Sequence, residues 1–334
     1  MESRGHAVAD ELRPAFEMYP SVTRLNSRPR TSYHSGGRTL HAHGAAHTLE
    51  TILVATDFSP RAAHAVERAV ILADELPISK ATLLHVVRES PFSAVRRLLV
   101  PTTNQEHIAP RLQRLANDVR RRTGLLVDER VESGDVVRTT QKLASEADLT
   151  ILGAPCGHPL RDLVLGSTAQ RLLRHVRRPL LVVRRPAGES YQRVLVAVDL
   201  STDAANAMAY AQMLAPRAEI SLVHAYRAPY EGKMQHAAVA EELIRKYRTE
   251  AKVAAASAMV ELVASHRLSP NVRALLLHGY AVPTLLEKER EVGADLIVVT
   301  KREQSLATDR LLESVTLALL ARSRCDVLVV RMPA

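Results

Sequence analysis

Residues 51–60, TILVATDFSP, decide how this chain folds, because residues 193–201, RVLVAVDLS, say the same thing again. Each is a short apolar run closed by Asp and Ser. A run of that kind, bounded by turn residues, reads as a buried strand feeding a helix. After the first copy, Pro60 suits the first turn of a helix, and Ala63, Val66, Ala69, Val70 and Ala73 recur on one face. Further on, ATLLHVV (81–87), LLVDERV (125–131), LTILGA (149–154) and PLLVVRR (179–185) read as strands. Helical stretches separate them at about 105–123, 136–146 and 167–175. Strands alternating with helices imply a parallel sheet covered on both faces.

The same order then repeats. ISLVHAY (220–226) echoes TLLHVV, and VRALLLHG (272–279) matches LLVDERVESG. ADLIVVT (294–300) matches ADLTILG (147–153), and CDVLVVR (325–331) matches RPLLVVR (178–184). Segments repeating in one order at a period of roughly 140 residues mean two copies of one domain. The expected division is a disordered extension at 1–48, a domain at 49–187 and a second at 191–334. RPAGES (185–190) links the two domains.

Composition bounds the rest. The chain has 334 residues, 46% hydrophobic and 24% charged, but only 3% aromatic and no Trp, so the cores are aliphatic. Two cysteines exclude a disulfide framework and suit a reducing compartment. No run approaches the roughly 20 apolar residues of a membrane helix, and the N-terminus lacks an apolar leader segment. The expected location is the cytoplasm. A net charge of +9 attracts polyanions without choosing among them.

In an open parallel sheet, ligands lie beyond the carboxyl ends of the strands. That places Asp57, Val86 and the loop GAPCGHPLRDLVLGST (153–168) at the expected site. Glycines let backbone approach an anion, and a helix N-terminus offers unpaired N–H groups. Ser167 caps the helix or meets a phosphate, and Arg161 is an available counter-charge. A plain N-cap explains Gly166–Ser167 as well, and a turn cap explains Asp57. Neither GxxxxGK[ST] nor GxGxxG occurs.

The set VATDFSP, LLHVV, ADLTILG and GSTAQRLLRHVRRPLLVV, with its counterparts in the second copy, resembles the universal stress protein family in tandem form. The resemblance implies an α/β fold of two tandem doubly wound domains, each a five-stranded parallel sheet of order 3-2-1-4-5. It also implies ATP as cofactor in members carrying G-x2-G-x9-G-[ST] after the fourth strand. Gly153 matches the first glycine and Gly166–Ser167 the last pair. Cys156 stands at the second glycine, with Gly157 one place on. By resemblance, Asp57 and Val86 hold adenine and ribose, and Leu152, Gly153, Gly166, Ser167 and Thr168 surround the phosphates. The second copy has Thr300, Glu303 and Glu313–Ser314 at that spacing, so carboxylates face the phosphates and repel them. In the family the last strands pair antiparallel. Here that implies pairing of 180–185 with 326–331 in one chain, and also raises a homodimer.

The remaining features weigh less. Cys156 near His158 is either a redox-sensitive thiol or a small passive residue. Cys325 reads as an inert core residue, and His85 and His224 as packing residues whose rings bond locally. His34, His41, His43 and His47 have no fixed geometry for a metal. The basic runs 111–122 and 174–179 suit solvated helix ends better than nucleic acid, since stacking aromatics and known nucleic-acid-binding patterns are missing. No Ser-His-Asp or paired-carboxylate arrangement recurs at strand ends. By resemblance, the expected activity is a nucleotide-binding stress-response sensor that is not an enzyme, with slow ATP hydrolysis left open. The rival is a nucleotide-independent scaffold.

Overall fold

The computed structural model describes residues 49–88, 103–154, 171–173, 178–201, 204–265, 272–301 and 309–331. The first half contains β1 (Thr51–Ala55), α1 (Pro60–Glu75), β2 (Lys80–Arg88), α2 (Thr103–Thr123), β3 (Leu126–Gly134), α3 (Val136–Ala144), β4 (Leu149–Gly153) and β5 (Leu180–Val183). The second contains β6 (Arg193–Ala197), α4 (Ala204–Leu214), β7 (Glu219–Tyr226), α5 (Glu231–His236), α6 (Glu241–Ser265), β8 (Val272–His278), α7 (Ala281–Val292), β9 (Leu296–Lys301), α8 (Asp309–Arg322) and β10 (Asp326–Arg331). The N-terminal extension at 1–48 lies outside the described residues, as does most of the helix expected at 167–175.

The two five-stranded sheets join through their last strands into one ten-stranded sheet, in the order β3-β2-β1-β4-β5-β10-β9-β6-β7-β8. Each half keeps its strands in the 3-2-1-4-5 order, but the two lie end to end with opposite sense. All neighbours within a half are parallel. At the junction β10 runs antiparallel to β5, with Val327 opposite Val182, Leu328 opposite Leu181 and Val329 opposite Leu180. The physical cause lies in these strands. Both are aliphatic and would expose unpaired N–H and C=O groups if left at an edge. The strands that do form the edges are β3 and β8, and β3 carries Asp128, Glu129, Arg130 and Glu132, charges that discourage further pairing.

The central strands are buried on both faces, which is why LTILG and LLVV read as near-continuous apolar runs. Alternation along each strand still sorts the side chains. Ile52, Val54, Leu181, Val183, Val196, Leu328 and Val330 enter a core that also holds Val66, Ala69 and Leu72 of α1 and Ala207 and Ala211 of α4. Leu53, Leu180, Val182, Leu195, Val327 and Val329 enter the other, beneath α3, α7 and α8. Each core runs across both halves.

Two aspartates explain why ADL recurs before the fourth strand of each half. Asp148 Oδ2 accepts from the Thr51 amide at 2.9 Å and the Thr51 hydroxyl at 2.8 Å. Asp295 Oδ2 accepts from the Gln192 amide at 2.7 Å, and its Oδ1 from the Arg193 amide at 3.1 Å. Each therefore ties the start of a half's first strand to the start of its fourth, and so sets their register.

At the junction a polar cluster is buried. Asp326, 1% exposed, accepts from the Tyr191 hydroxyl at 2.8 Å and the Arg184 amide at 2.8 Å, and pairs with Arg68 Nε at 3.3 Å. The Arg68 guanidinium also lies 3.9 Å from the Tyr191 ring centroid and donates to the Glu189 carbonyl. Ser190 hydrogen-bonds Glu75, so the linker is fixed along α1. Burial, and then the neighbouring Asp326 carboxylate, push the Tyr191 hydroxyl well above its ordinary pKa.

Candidate functional site

The strand-to-helix turn after β1 brings the first site residue into place. Asp57 Oδ1 accepts from the Ser59 amide at 2.9 Å, and Thr56 Oγ1 accepts from the Phe58 amide at 3.0 Å. Ser59 then caps α1, its hydroxyl accepting from the Ala62 amide, with Pro60 at the first helical position. These bonds hold Phe58 at φ 60°, the left-handed region that side chains other than glycine avoid. The second half repeats the turn: Asp199 accepts from the Ser201 amide at 3.1 Å, and Leu200 sits at φ 59°. Asp57 is thus a turn-forming residue, and its carboxylate is exposed as well. Partial burial raises its pKa, but the Ser59 hydrogen bonds, helped by His85 nearby, outweigh this and hold it below the ordinary range.

Around Asp57 lies a small aromatic and cationic group. His85, on β2, places Nδ1 2.8 Å from the Thr56 carbonyl and stacks on Phe58 with ring centroids 4.7 Å apart. Arg111, from α2, covers the Phe58 ring at 4.5 Å. His224 repeats the local bond, 2.9 Å to the Val198 carbonyl. Phe58 and Arg111 were not expected at the site. Arg111 stood out in sequence only as part of a basic run, and its reach to a residue 53 positions away is a tertiary fact.

Register places the expected residues side by side. Ala55 pairs with Leu84 on one flank and Leu152 on the other, so Asp57 is level with Val86, and Leu152–Gly153 closes β4 beside them. Val86 is half-buried and Leu152 buried. Gly153 has a reason of its own. A Cβ there would lie 2.4 Å from the Arg61 carbonyl oxygen and 2.8 Å from the Ala62 nitrogen, so the first turn of α1 admits no side chain. The Ala154 amide, expected within the anion cradle, donates to the Val183 carbonyl at 2.7 Å and is spent in the sheet. Gly166, Ser167 and Thr168 lie outside the described residues, with Cys156, Gly157, His158, Arg161 and, in the second half, Glu303.

Other expectations are placed by the described residues. Arg122 pairs with Glu67 at 2.6 Å and Arg120 with Glu129 at 2.9 Å, while Arg121 meets Asp118 at 3.0 Å. The basic end of α2 is therefore matched by carboxylates. Cys325 is fully buried, and burial first, then Glu289, pushes its thiol well above the ordinary value. Among the described residues no group of three or more His, Cys, Asp or Glu side chains is placed to hold a metal, and no helix is long and apolar enough to cross a membrane.

The family model described as "Universal stress protein family" matches twice, at residues 48–184 and 190–331. The chain belongs to the universal stress protein family. A universal stress protein from Archaeoglobus fulgidus DSM 4304 is 18% identical, with TM-score 0.62 over 84% of this chain and 98% of that one. A functionally unknown protein from Pseudomonas aeruginosa PAO1 is also 18% identical, with TM-score 0.56 over 85% and 92%. At that identity the likeness is one of fold. A universal stress protein solved in complex with cAMP is 26% identical, covering 42% of this chain and 98% of that one, with TM-score 0.27. No curated protein matches the chain.

Proposed function

We propose that this universal stress protein is a non-enzymatic, cytoplasmic stress-response sensor whose first half, 49–187, binds an adenine nucleotide, ATP. The second half, 191–334, acts as its pseudo-dimer partner. The observation that carries the reading is the grouping of Asp57, Val86 and Leu152–Gly153 at the carboxyl ends of three neighbouring parallel strands. Neighbouring strands lie ~4.8 Å apart, so these residues line one short stretch of the sheet's ligand-binding rim. Asp57 accepts hydrogen bonds from a ribose hydroxyl or base amine, and Val86 supplies an apolar edge. The phosphates fall to Gly153 with Gly166, Ser167 and Thr168. In the second half Thr300 replaces the first glycine, and Glu303 and Glu313 oppose phosphate charge. The antiparallel register of β5 on β10 supports the pseudo-dimer. With Leu180–Val182 and Val327–Val329 so paired, a homodimer would use other surfaces.

Calorimetry of the full chain with ATP tests the nucleotide reading. Binding should weaken about tenfold in Asp57→Ala, the loss of one charge-assisted hydrogen bond. Absence of heat at millimolar ATP overturns it. A second reading, a nucleotide-independent scaffold, is favoured by two observations: α1 alone accounts for Gly153, and the Ala154 amide is already bonded. A melting midpoint unmoved by ATP would select that reading, because a ligand of the native state must raise it.

A further inference from the structure

A cavity of about 670 Å³ opens in the second half, at the carboxyl ends of β7 and β8, and neither Asp57 nor its counterpart Asp199 is among the residues that line it. Its size lies within the range of small-molecule sites. Arg227, Tyr230, Lys233, His236 and Tyr280 line it, with Glu231 and Gly232 among them. In a chain with 3% aromatic residues, two tyrosines stand open here, Tyr230 at 73% and Tyr280 at 63% exposure. Exposed aromatic rings grouped in a concavity are costly to leave hydrated, and they supply flat faces for stacking.

The charges are unbalanced. Glu231 is the cavity's one carboxylate among the lining residues, and it is 3% exposed. It is already consumed, its Oε1 2.5 Å from Arg248 Nε and its Oε2 3.0 Å from His278 Nε2. The Arg227 guanidinium carbon lies over the Tyr280 ring, 3.6 Å from the centroid, and Lys233 stands 5.5 Å from the Tyr230 ring. Neither pairs with a carboxylate among the described residues. A guanidinium stacked on a ring keeps its in-plane N–H donors for an anion. Among the described residues, the matching turn of the first half differs. Asp135, which follows Gly134 as Tyr280 follows Gly279, caps α3 by accepting from the Arg138 amide. Tyr280 makes no side-chain cap bond, so the second half has exchanged a capping carboxylate for an open ring.

We infer that this cavity binds a small aromatic anion, a flat ring carrying a phosphate or carboxylate. The ring stacks on the Tyr280–Arg227 platform and Tyr230, and the anion pairs with Arg227 and Lys233. The inference is independent of the nucleotide reading, since it shares no residue with the first-half site.

Titration calorimetry of the full chain with 1-naphthyl phosphate tests it, with 1-naphthol and inorganic phosphate as the ring alone and the charge alone. Naphthyl phosphate should bind roughly tenfold or more tightly than either, since both contacts are then made together. Arg227→Gln, Lys233→Gln and Tyr280→Ala should each weaken it while the melting temperature stays unchanged. Three separate surface substitutions keep the test open should one of them fold poorly. No heat at millimolar naphthyl phosphate, equal affinity for 1-naphthol, or undiminished binding in all folded variants overturns the inference.

Discussion

Gly153 and Thr300 occupy matching positions at the end of the fourth strand in each half, yet only one of them admits a side chain. At Gly153 the obstacle is main chain, the Arg61 carbonyl, which cannot rotate away as a flexible side chain could. Gly153→Ala should therefore cost about 3 kcal/mol, the upper range for an overpacked site. A fall of roughly 6–12 °C in the thermal midpoint of the chain would register it. Thr300→Ala, half-buried and free of that constraint, should stay within about 1 kcal/mol. Glu231 offers a second residue-level outcome. Burial raises its pKa, but the bonds from His278 and Arg248 outweigh this and leave it below the ordinary 4.5. A carboxyl depressed in the folded state stabilises fully above its unfolded value, and that contribution fades as pH falls through the folded one. The Glu231 contribution should thus be constant at neutral pH and lost below about pH 4.5. Glu231→Gln should lower stability at pH 7, because the Arg248 guanidinium then keeps only Glu241 as a carboxylate partner. It should also flatten the acid limb of a denaturation series run against pH.

At the level of elements, the β1–α1 turn shows how much a few adjacent residues decide. Asp57, Ser59 and Pro60 act within four positions of each other, so sequence alone could place the turn, the cap and the helix start. Ser59→Ala should lower stability by about 1 kcal/mol in urea denaturation, the usual cost of a lost cap. The expected strands likewise appear where the apolar runs stand, with shifts at their ends: LLVDERV at 125–131 becomes β3, Leu126–Gly134. Helix α2 begins at Thr103, two residues before the expected start, and contains Pro110 within it. The stack of Arg111 and His85 on Phe58 was illegible by contrast. Its members come from three elements, and no periodicity links them.

For the whole molecule, the junction decides the shape, and it is not symmetric. Asp326 stands where the first half has Pro179, and it collects Arg68, Tyr191 and the Arg184 amide around one buried carboxylate. Only the union of the two halves satisfies these groups. Asp326→Ala should cost about 3–5 kcal/mol by stranding the Arg68 charge, 5% exposed, away from water. The double variant Arg68→Met with Asp326→Ala should recover part of that loss, and a double-mutant cycle in guanidinium would measure the coupling. Additive losses would mean that the cluster does not act as a unit.

The sequence by itself determined the tandem repeat, the alternation of strand and helix, and the local turn chemistry around Asp57 and Asp199. The alternation and the turns are written in residues a few positions apart, where backbone geometry and side-chain period are the whole of the physics, and the repeat is legible because the same short segments recur in the same order. Only the tertiary structure decided the register at which the two sheets join, that Arg68 meets Asp326, and that Gly153 is pressed by α1. It alone brought Arg227, Lys233, Tyr230 and Tyr280 around a common hollow. Those contacts join residues far apart in the chain, and their existence depends on how separate elements pack, which no local pattern encodes.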